Sequence, residues 1–264
     1  MKHIFAVCAY GQSPYLRECL ESLRQQETAS AVILCTATPS VFLSRMAEQF
    51  DIPLFVNDAK PDIAGDWNFA MLQAKRLGAD AVTLCHQDDV YMRNYGASLH
   101  EWAIRRPDWL IYFTDYGEKR GDRIVTDNRN LRIKRLLLWR MRIPFLQASR
   151  HAKRRTLALG DPICCPSVTF HLNRISLPLF ETGMTTNLDW QTWEKLANQP
   201  GRFLFDPRVL MAHRIHAEST TSKVLGQGGR TAQDLAMFRR FWPAPIAKLL
   251  TRVYAKSEDS NWEK

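Results

Sequence analysis

The sequence contains no apolar run that approaches the roughly 18 residues of a membrane-spanning helix. Its 12 glycines and 13 prolines in 264 residues are too few for a fibrous or low-complexity chain. No small-residue cleavage site follows the short apolar stretch that begins at Ile4, so no signal peptide is expected. These absences argue against membrane-spanning and secreted proteins. The 45% hydrophobic content instead predicts a globular protein with one sizeable core, and the expected lack of a signal peptide predicts a cytoplasmic one.

The six cysteines form no CxxC pair, and most of them stand in apolar runs. A structural zinc site needs paired Cys or His ligands at short spacing, so we expect reduced, buried thiols. The nucleotide-binding motifs GxGxxG and GxxxxGK[ST] are also missing, which disfavours Rossmann dehydrogenases and P-loop NTPases. Neither GxSxG nor HExxH occurs. The chemistry must therefore be sought in other residues.

Apolar runs alternate with helical patterns in the first third of the chain. Strands are predicted at 4–9, 31–35, 53–56 and 81–85, with helices that begin near Ser13-Pro14, Thr38-Pro39 and Asp66. This order predicts an α/β fold with an open, mostly parallel sheet and helices on both faces. Such sheets bind ligands at the carboxyl ends of their strands. The pair Asp88-Asp89 follows the fourth strand and marks a candidate site.

The rest of the chain is less regular. Strands are predicted at 109–114, 168–170, 203–205 and 209–212, and helices at 189–197, 231–242 and 246–254. No stretch is rich enough in Gly, Ser or Pro to separate two domains. We therefore predict one domain over 1–256, followed by a polar tail at 257–264.

Two adjacent carboxylates at Asp88-Asp89 repel each other unless a cation or a basic partner neutralises them. Mg²⁺ and Mn²⁺ prefer oxygen ligands and commonly bridge one or two carboxylates to a substrate diphosphate. A solvated Asp-Asp turn that caps the next helix is the competing interpretation. The position after a fourth parallel strand favours the metal site.

Five short motifs occur along the chain in the order known from one enzyme family. They are Val7–Tyr10 with Pro14–Leu23, Asp66–Asn68 with Ala70, Gln87–Tyr91, Thr186–Trp190 with Trp193, and Arg214–His216 with Ser219 and Thr220. Together they resemble the motifs of family 2 glycosyltransferases with the GT-A fold. The resemblance covers about residues 4–222 and is weakest at 117–160.

The resemblance implies transfer of a sugar from a nucleotide-diphospho-sugar, expected to be UDP-linked, to a hydroxyl acceptor with inversion at the anomeric carbon. It implies a role in the synthesis of cell-surface polysaccharide or glycolipid. Asp89 is expected to hold Mn²⁺ or Mg²⁺, and Asp189 to act as the catalytic base. The residues expected to bind the nucleotide-sugar are Ala9, Tyr10, Asp66, Asn68, Gln87, Asp88, Arg214 and His216.

Each of these residues also has a simpler structural interpretation. Asp189 can be a helix N-cap and Tyr10 a core residue, while Asp66 and Asn68 can cap a helix. His216 can complete the metal shell or be a surface histidine. The sequence also departs from the family pattern, because the segment Leu34–Thr38 has no acidic residue where the family carries one that hydrogen-bonds the base. Gln87 and Leu188 likewise stand where the family carries acidic residues.

The net charge of +9 comes from one segment. Residues 128–160 contain ten basic residues and no acidic one, which leaves the rest of the chain nearly neutral. This argues against a general nucleic-acid coat and for a local anionic contact. The interleaved apolar residues of 129–155 suit an interfacial helix on an anionic membrane or a groove for a saccharide or lipid-diphosphate acceptor. A core helix with a solvated basic face is the alternative.

Two other functions remain open from the sequence. A nucleotidyltransferase would also use Asp88-Asp89 and a divalent ion, but it usually has a Gly-rich basic loop after the first strand, where this chain has only Gly11 and no base. A non-catalytic module would hold an anionic polymer or a membrane through the basic segment. That module predicts binding without turnover of any nucleotide-sugar.

Overall fold

The first four strands lie side by side in the computed structural model, which describes residues 1–216 and 229–259. They are β1 (His3–Cys8), β2 (Ala31–Thr36), β3 (Leu54–Val56) and β4 (Ala81–His86). Their order across the sheet is β3-β2-β1-β4, and every neighbouring pair is parallel. The crossovers carry α1 (Leu16–Arg24), α2 (Val41–Gln49) and α3 (Ile63–Arg76). This alternation confirms the predicted α/β order.

The later strands extend the same sheet. They are β5 (Val90–Tyr91), β6 (Trp109–Arg120), β7 (Arg123–Val125), β8 (Val168–His171) and β9 (Arg202–Arg214). Strand β8 lies antiparallel between β4 and β6, and β9 runs parallel to β6. Strand β5 pairs antiparallel with β9, with Val90 opposite Ala212. This last pairing brings the end of β9 against the turn that carries Asp88 and Asp89.

Strand β9 is one element, where the sequence predicted two strands separated by Pro207. Thr114 pairs with Asp206 and the next residue, Asp115, with Val209, so two residues of β9 bulge out of the ladder. The N–H of Arg208 donates to the Asp206 carboxylate at 3.0 Å instead of to a neighbouring strand. The bulge accommodates a proline that cannot donate to the ladder, and the strand continues.

The remaining helices follow the strands closely. They are α4 (Tyr95–Arg105), α5 (Arg129–Leu137), α6 (Arg150–Leu157), α7 (Leu188–Ala197), α8 (Gly229–Arg239) and α9 (Ala244–Asp259). None of them, in the part of the chain that the structure describes, combines the length and apolar content that crossing a bilayer requires. Helix α9 includes the first residues of the predicted polar tail. Residues 260–264, as well as Ser219 and Thr220, lie outside the described residues.

Three predicted helix starts are wrong by a few residues. Helix α1 begins at Leu16, after Pro14 and not at it, and α2 is capped by Ser40, whose hydroxyl accepts the N–H of Leu43 at 3.3 Å. Asp62 caps α3 by accepting the N–H of Gly65 at 3.0 Å. The helix therefore starts one turn before Asp66, whose carboxylate is left for another contact.

Two apolar clusters cover the faces of the sheet. Residues alternate between them along β1, with Ile4 and Ala6 in one cluster and Phe5 and Val7 in the other. The larger cluster includes Trp190 and Trp193 of α7, both fully buried. All six cysteines are free thiols, and five are buried, which confirms the predicted role in packing. The two tryptophans anchor α7 in this cluster, where Trp193 stacks on Phe170 of β8.

Candidate active site

The carboxylate of Asp89 lies fully buried in the turn after β4. Its Oδ1 accepts hydrogen bonds from His213 Nδ1 and from the backbone N–H of Arg214, both at 2.9 Å. Its Oδ2 is buried and has no hydrogen-bond partner among the described residues. Burying an unsatisfied carboxylate oxygen costs free energy, so this atom is available for a ligand that the chain itself does not supply.

Asp88 is more accessible and contacts the end of β9. Its Oδ2 accepts from His216 Nε2 at 2.7 Å, and its backbone carbonyl accepts from Arg214 Nε at 2.8 Å. Burial alone would raise the pKa of Asp88, but electrostatic interaction with the neighbouring His86 and the hydrogen bond from His216 hold it below its usual value. Asp88 is therefore ionised across the neutral pH range.

Arg214 connects this turn to helix α1. Its guanidinium donates to the carboxylate of Glu18 and lies 4.2 Å from the centre of the Tyr15 ring. Lys119 Nζ contacts the other oxygen of Glu18 at 3.0 Å. The pKa of Glu18 is lowered, because these two cations outweigh the burial that would raise it. This ion-pair network fixes the position of the Arg214 side chain against the Asp88 backbone.

His86, Asp88 and Asp89 could together hold a metal ion. One ligand atom of each lies within 4.8 Å of the others. His86 Nδ1 stands 3.7 Å from the unpartnered Oδ2 of Asp89. Carboxylate oxygens suit Mg²⁺ and Mn²⁺, and an added imidazole suits the transition metals. The residues present therefore fit a divalent cation.

Asp189 lies in the first turn of α7, whose N-cap is Asn187, so the interpretation of Asp189 as a helix N-cap is wrong. Its Oδ1 accepts the N–H of Trp190 at 2.8 Å. Burial raises the pKa of Asp189, although that hydrogen bond and the charge of Lys134 oppose the shift. The carboxylate is thus held at a rigid helix start in a partly buried position.

A second carboxyl group, that of Asp161, faces Asp189. Its Oδ1 accepts the N–H of Ile163 at 3.0 Å, and its Oδ2 is buried with no donor from the described chain. The two carboxyl groups contact each other, and a hydrogen bond between them requires a proton on one of them. Burial and the neighbouring charge of Asp189 raise the pKa of Asp161 well above its usual range. Two carboxyl groups this close cannot both ionise easily, so Asp161 keeps the proton and Asp189 is the more acidic partner.

The two carboxylate sites share one neighbourhood. Burial raises the pKa of the Cys164 thiol, and Lys134 opposes that shift. Both Asp89 and Asp189 raise the same pKa further, so both carboxylates lie near this one thiol. Lys134 Nζ lies 5.3 Å from the centre of the Tyr116 ring. The charge of Lys134 favours a lower pKa for both Asp189 and His213. The carboxylates of Asp189 and Asp89 therefore lie within electrostatic reach of the same thiol.

Solved structures with a similar arrangement of strands and helices are known. The mannosyltransferase PcManGT from Pyrobaculum calidifontis, in complex with GDP-Man and Mn²⁺, matches 96% of this chain and 69% of its own, with a TM-score of 0.63 and 18% identity. TarS from S. aureus matches 95% of this chain with a TM-score of 0.60 and 11% identity. TarS 1–349 in complex with UDP-GlcNAc matches 95% of this chain and 70% of its own, with a TM-score of 0.58 and 13% identity. The chain has a GT-A-like fold.

The likeness is one of fold alone at these identities. The chain spans 42% of the whole TarS chain, less than half of it. No protein-family model matches the sequence, and no curated protein sequence matches it either.

Gln87 and Tyr10 join two neighbouring strand ends of the GT-A-like sheet. The side-chain amide of Gln87 accepts from the Tyr10 N–H and donates to the Tyr10 carbonyl, both at 3.0 Å. The Tyr10 ring is 66% exposed, so its interpretation as a core residue is wrong, whereas Ala9 is buried. The bridge fixes β1 against β4, and nucleotide contacts by Ala9, Tyr10 and Gln87 stay predictions.

The interpretation of Asp66 and Asn68 as caps of α3 is wrong. Asp66 Oδ1 accepts from Asn57 Nδ2 at 2.8 Å, and burial raises the pKa of Asp66. The Asn68 amide makes three hydrogen bonds to the backbone of Leu179 and Phe180, at 2.8 to 3.0 Å. Asn68 therefore has a structural task, and a nucleotide contact by it would require these bonds to break.

The segment Thr36–Thr38 uses its hydroxyls within the GT-A-like fold. Thr38 Oγ1 accepts the N–H of Gly11, and Thr36 Oγ1 accepts the N–H of Thr38, both at 3.0 Å. Gly11 has a φ of +62°, a conformation that favours glycine. These bonds hold the loop after β1 against the end of β2, where the family pattern places an acidic residue.

The sequence did not identify four residues near the site. His86 was visible as a histidine beside the aspartate pair, and counting metal-ligating side chains would have found it. His213 lies one residue before the Arg214–His216 motif. Asp161 and Lys134 carried no local signal, because they reach the site only through the packing of distant segments.

Proposed function

We propose that the protein is a metal-dependent, inverting glycosyltransferase that moves a sugar from a nucleotide-diphospho-sugar to a hydroxyl group. The observation that carries the proposal is the buried, unpartnered Oδ2 of Asp89 in a GT-A-like fold. Support also comes from the similar structures, which were solved with UDP-GlcNAc, with UDP and with GDP-Man and Mn²⁺. A UDP-sugar and a GDP-sugar are therefore the donors to test first.

The donor half of the site lies around the turn after β4. Asp89 would hold Mn²⁺ or Mg²⁺, which when bound neutralises the charge that develops on the leaving diphosphate. We assign the ribose to Asp88, and the diphosphate to Arg214 and His216. Arg214 already lies beside Asp88, so the donor meets a guanidinium whose orientation is fixed before binding.

The acceptor half of the site is assigned to Asp189. Its carboxylate takes the proton of the acceptor hydroxyl while the acceptor oxygen forms a bond to the anomeric carbon. The bond between that carbon and the diphosphate oxygen breaks, and the nucleoside diphosphate leaves with the electron pair. Asp161, kept protonated, donates toward Asp189 and keeps it ionised at a pH where burial alone would protonate it.

We further propose a saccharide or lipid-linked acceptor at the cytoplasmic face of a membrane, as in cell-surface polysaccharide or glycolipid synthesis. The support is the basic segment, 129–155, which forms α5 and α6 with two short 3-10 helices between them. Four large apolar side chains stand out of it beside the basic residues, with Ile133 43%, Leu136 68%, Trp139 45% and Phe145 75% exposed. Exposed apolar side chains among basic residues are typical of a surface that binds an anionic lipid membrane.

The decisive experiment measures transfer or hydrolysis of UDP- and GDP-sugars with Mn²⁺. We expect turnover that a chelator abolishes, and that Asp89→Ala loses together with metal dependence. Asp189→Asn should keep donor binding but lose transfer by several orders of magnitude, because the base is gone. Asp122→Asn, an exposed aspartate in the turn between β6 and β7, is the matched control and should transfer normally. Binding of an anionic polymer without any turnover would instead support a non-catalytic module.

A further inference from the structure

His86 differs from the two other histidines beside the aspartate pair. His213 donates to Asp89 Oδ1 and His216 to Asp88 Oδ2, so each of them already contacts a carboxylate oxygen. The ring of His86 makes no hydrogen bond to any described residue, and its Nε2 is buried without a partner. An imidazole that is partly buried with no hydrogen bond carries a desolvation cost, which a ligand can remove.

The orientation of the His86 ring is nevertheless fixed. It stacks on Trp67, with ring centres 5.4 Å apart and planes inclined by 20°. Trp67 in turn packs edge-on against Phe180, whose backbone is bonded to Asn68. The stack therefore holds the imidazole in place from helix α3, while its Nδ1 points toward Asp89.

The gap between His86 and Asp89 has the dimensions of a metal site. Nδ1 lies 3.7 Å from Asp89 Oδ2, too far for a hydrogen bond. Two ligand atoms at neighbouring positions of an octahedral ion, each about 2.1 Å from it, lie about 3.0 Å apart, so the gap is close to that of two ligands of one ion. A single ion can thus bind His86 Nδ1 and Asp89 Oδ2 together after a shift of less than about 1 Å, and it leaves Nε2 on the far side of the ring.

We propose that His86 is a nitrogen ligand of the divalent ion beside Asp89, and that this pair of ligands selects Mn²⁺ over Mg²⁺. Gln87, the first position of the DxD-type motif, cannot supply a carboxylate, and its amide is bonded to the Tyr10 backbone. An imidazole therefore takes the place of an oxygen ligand. Imidazole suits transition metals, whereas Mg²⁺ requires oxygen ligands. The proposal rests on the proposed donor site for the role of the ion in sugar transfer.

The test is metal binding followed by pulsed electron paramagnetic resonance. Mn²⁺ is bound to the full chain alone, with UDP and with GDP, and the ¹⁴N modulation from a coordinated imidazole is recorded. We expect the modulation in the wild type and its loss in His86→Gln. His213→Gln and His216→Gln are the matched controls and should retain it, because their rings contact carboxylates rather than the ion.

Affinities give a second, independent measurement. His86→Gln should weaken Mn²⁺ binding by about tenfold or more, and leave Mg²⁺ binding, measured by competition, within about twofold. His86→Asp supplies an oxygen ligand instead and should reverse the preference toward Mg²⁺ without the ¹⁴N signal. Far-ultraviolet circular dichroism verifies that each variant is folded.

Several results would overturn the assignment of His86. They are a wild type that binds no Mn²⁺, a ¹⁴N modulation that persists in His86→Gln, and an equal loss of Mn²⁺ and Mg²⁺ affinity. Failure of the proposed function looks different. A ¹⁴N-coordinated Mn²⁺ with no turnover of any UDP- or GDP-sugar would refute the transferase and leave the ligand assignment standing.

Discussion

Lys153 and Asp89 are both fully buried charged residues, but the fold treats them differently. Lys153 Nζ donates to the carbonyls of Gln199 and Gly201, both at 2.8 Å, and lies 5.1 Å from the centre of the Phe203 ring. Asp89 keeps one oxygen without a partner in the described chain. A buried charged group whose polar atoms find partners is tolerated by the fold, whereas an unsatisfied one points to a ligand.

At the residue scale, the pair Asp161 and Asp189 makes a prediction about pH. The bond from Asp161 lowers the pKa of Asp189, whereas burial raises it. Asp161→Ala removes that bond, so the pKa of Asp189 should rise. Because the base must be ionised, kcat/KM falls as pH drops through this pKa. The acidic limb of the pH profile should therefore move to higher pH in Asp161→Ala.

Asp161→Asn is the control for this shift. Its amide can still donate to Asp189, so the acidic limb should stay within a few tenths of a pH unit of the wild type. The measurement is the pH dependence of kcat/KM for transfer. If both variants lose activity equally at every pH, Asp161 acts on packing and not on the charge of Asp189.

At the scale of secondary-structure elements, strand β9 assembles the donor half of the site. Its pairing with β5 places Ala212 opposite Val90, so the next residues, His213 and Arg214, reach the carboxylates just before β5. The partners of Asp89 are 124 and 125 residues away in sequence. The long strand β6 runs parallel to β9, and its residue Lys119 forms an ion pair with Glu18 of α1.

Helix α3 is tied to the segment before α7 by Asn68. Asn68→Ala should lower the free energy of unfolding by about 2 kcal/mol, because the backbone groups of Leu179 and Phe180 lose their partner. Urea denaturation measures this change. Asn130→Ala in α5 is the matched control and should change stability by less than about 0.5 kcal/mol. An equal effect of the two substitutions would refute the structural task of Asn68.

At the scale of the whole molecule, the positive charge and the exposed apolar side chains coincide in the basic segment. The proposed membrane contact predicts that the protein floats with liposomes that contain anionic lipid and stays unbound with neutral ones. Added salt should weaken the binding, because the attraction of the arginines is screened. Equal, negligible binding to both kinds of liposome would exclude the contact.

The double variant Leu136→Gln with Phe145→Gln should reduce flotation severalfold, because the two most exposed apolar residues of the segment are lost. Ile104→Gln, on α4, removes an apolar side chain that is 80% exposed but lies outside the basic segment. Flotation of this control should match that of the wild type. If it falls as far as the double variant does, flotation depends on general hydrophobicity and not on the basic segment.

Sequence alone determined the order of the first four strands and three helices, since apolar runs and helical periodicity are local properties of the chain. It also identified the Asp88-Asp89 pair, because a strand end in a parallel sheet is a known place for ligands. It missed the helix starts by a few residues and split β9 at Pro207, where the partner strand decides whether a proline ends a strand or bulges.

Only the tertiary structure decided which groups meet. His213 and Arg214 reach Asp89 through the pairing of β5 with β9, and Asp161 reaches Asp189 through the packing of α7. Which atoms remain unsatisfied, such as Asp89 Oδ2, depends on every neighbour at once. Periodicity describes one segment at a time, whereas hydrogen bonding and burial are properties of the folded chain. The sequence therefore predicted which residue types form the site but not which partners they have.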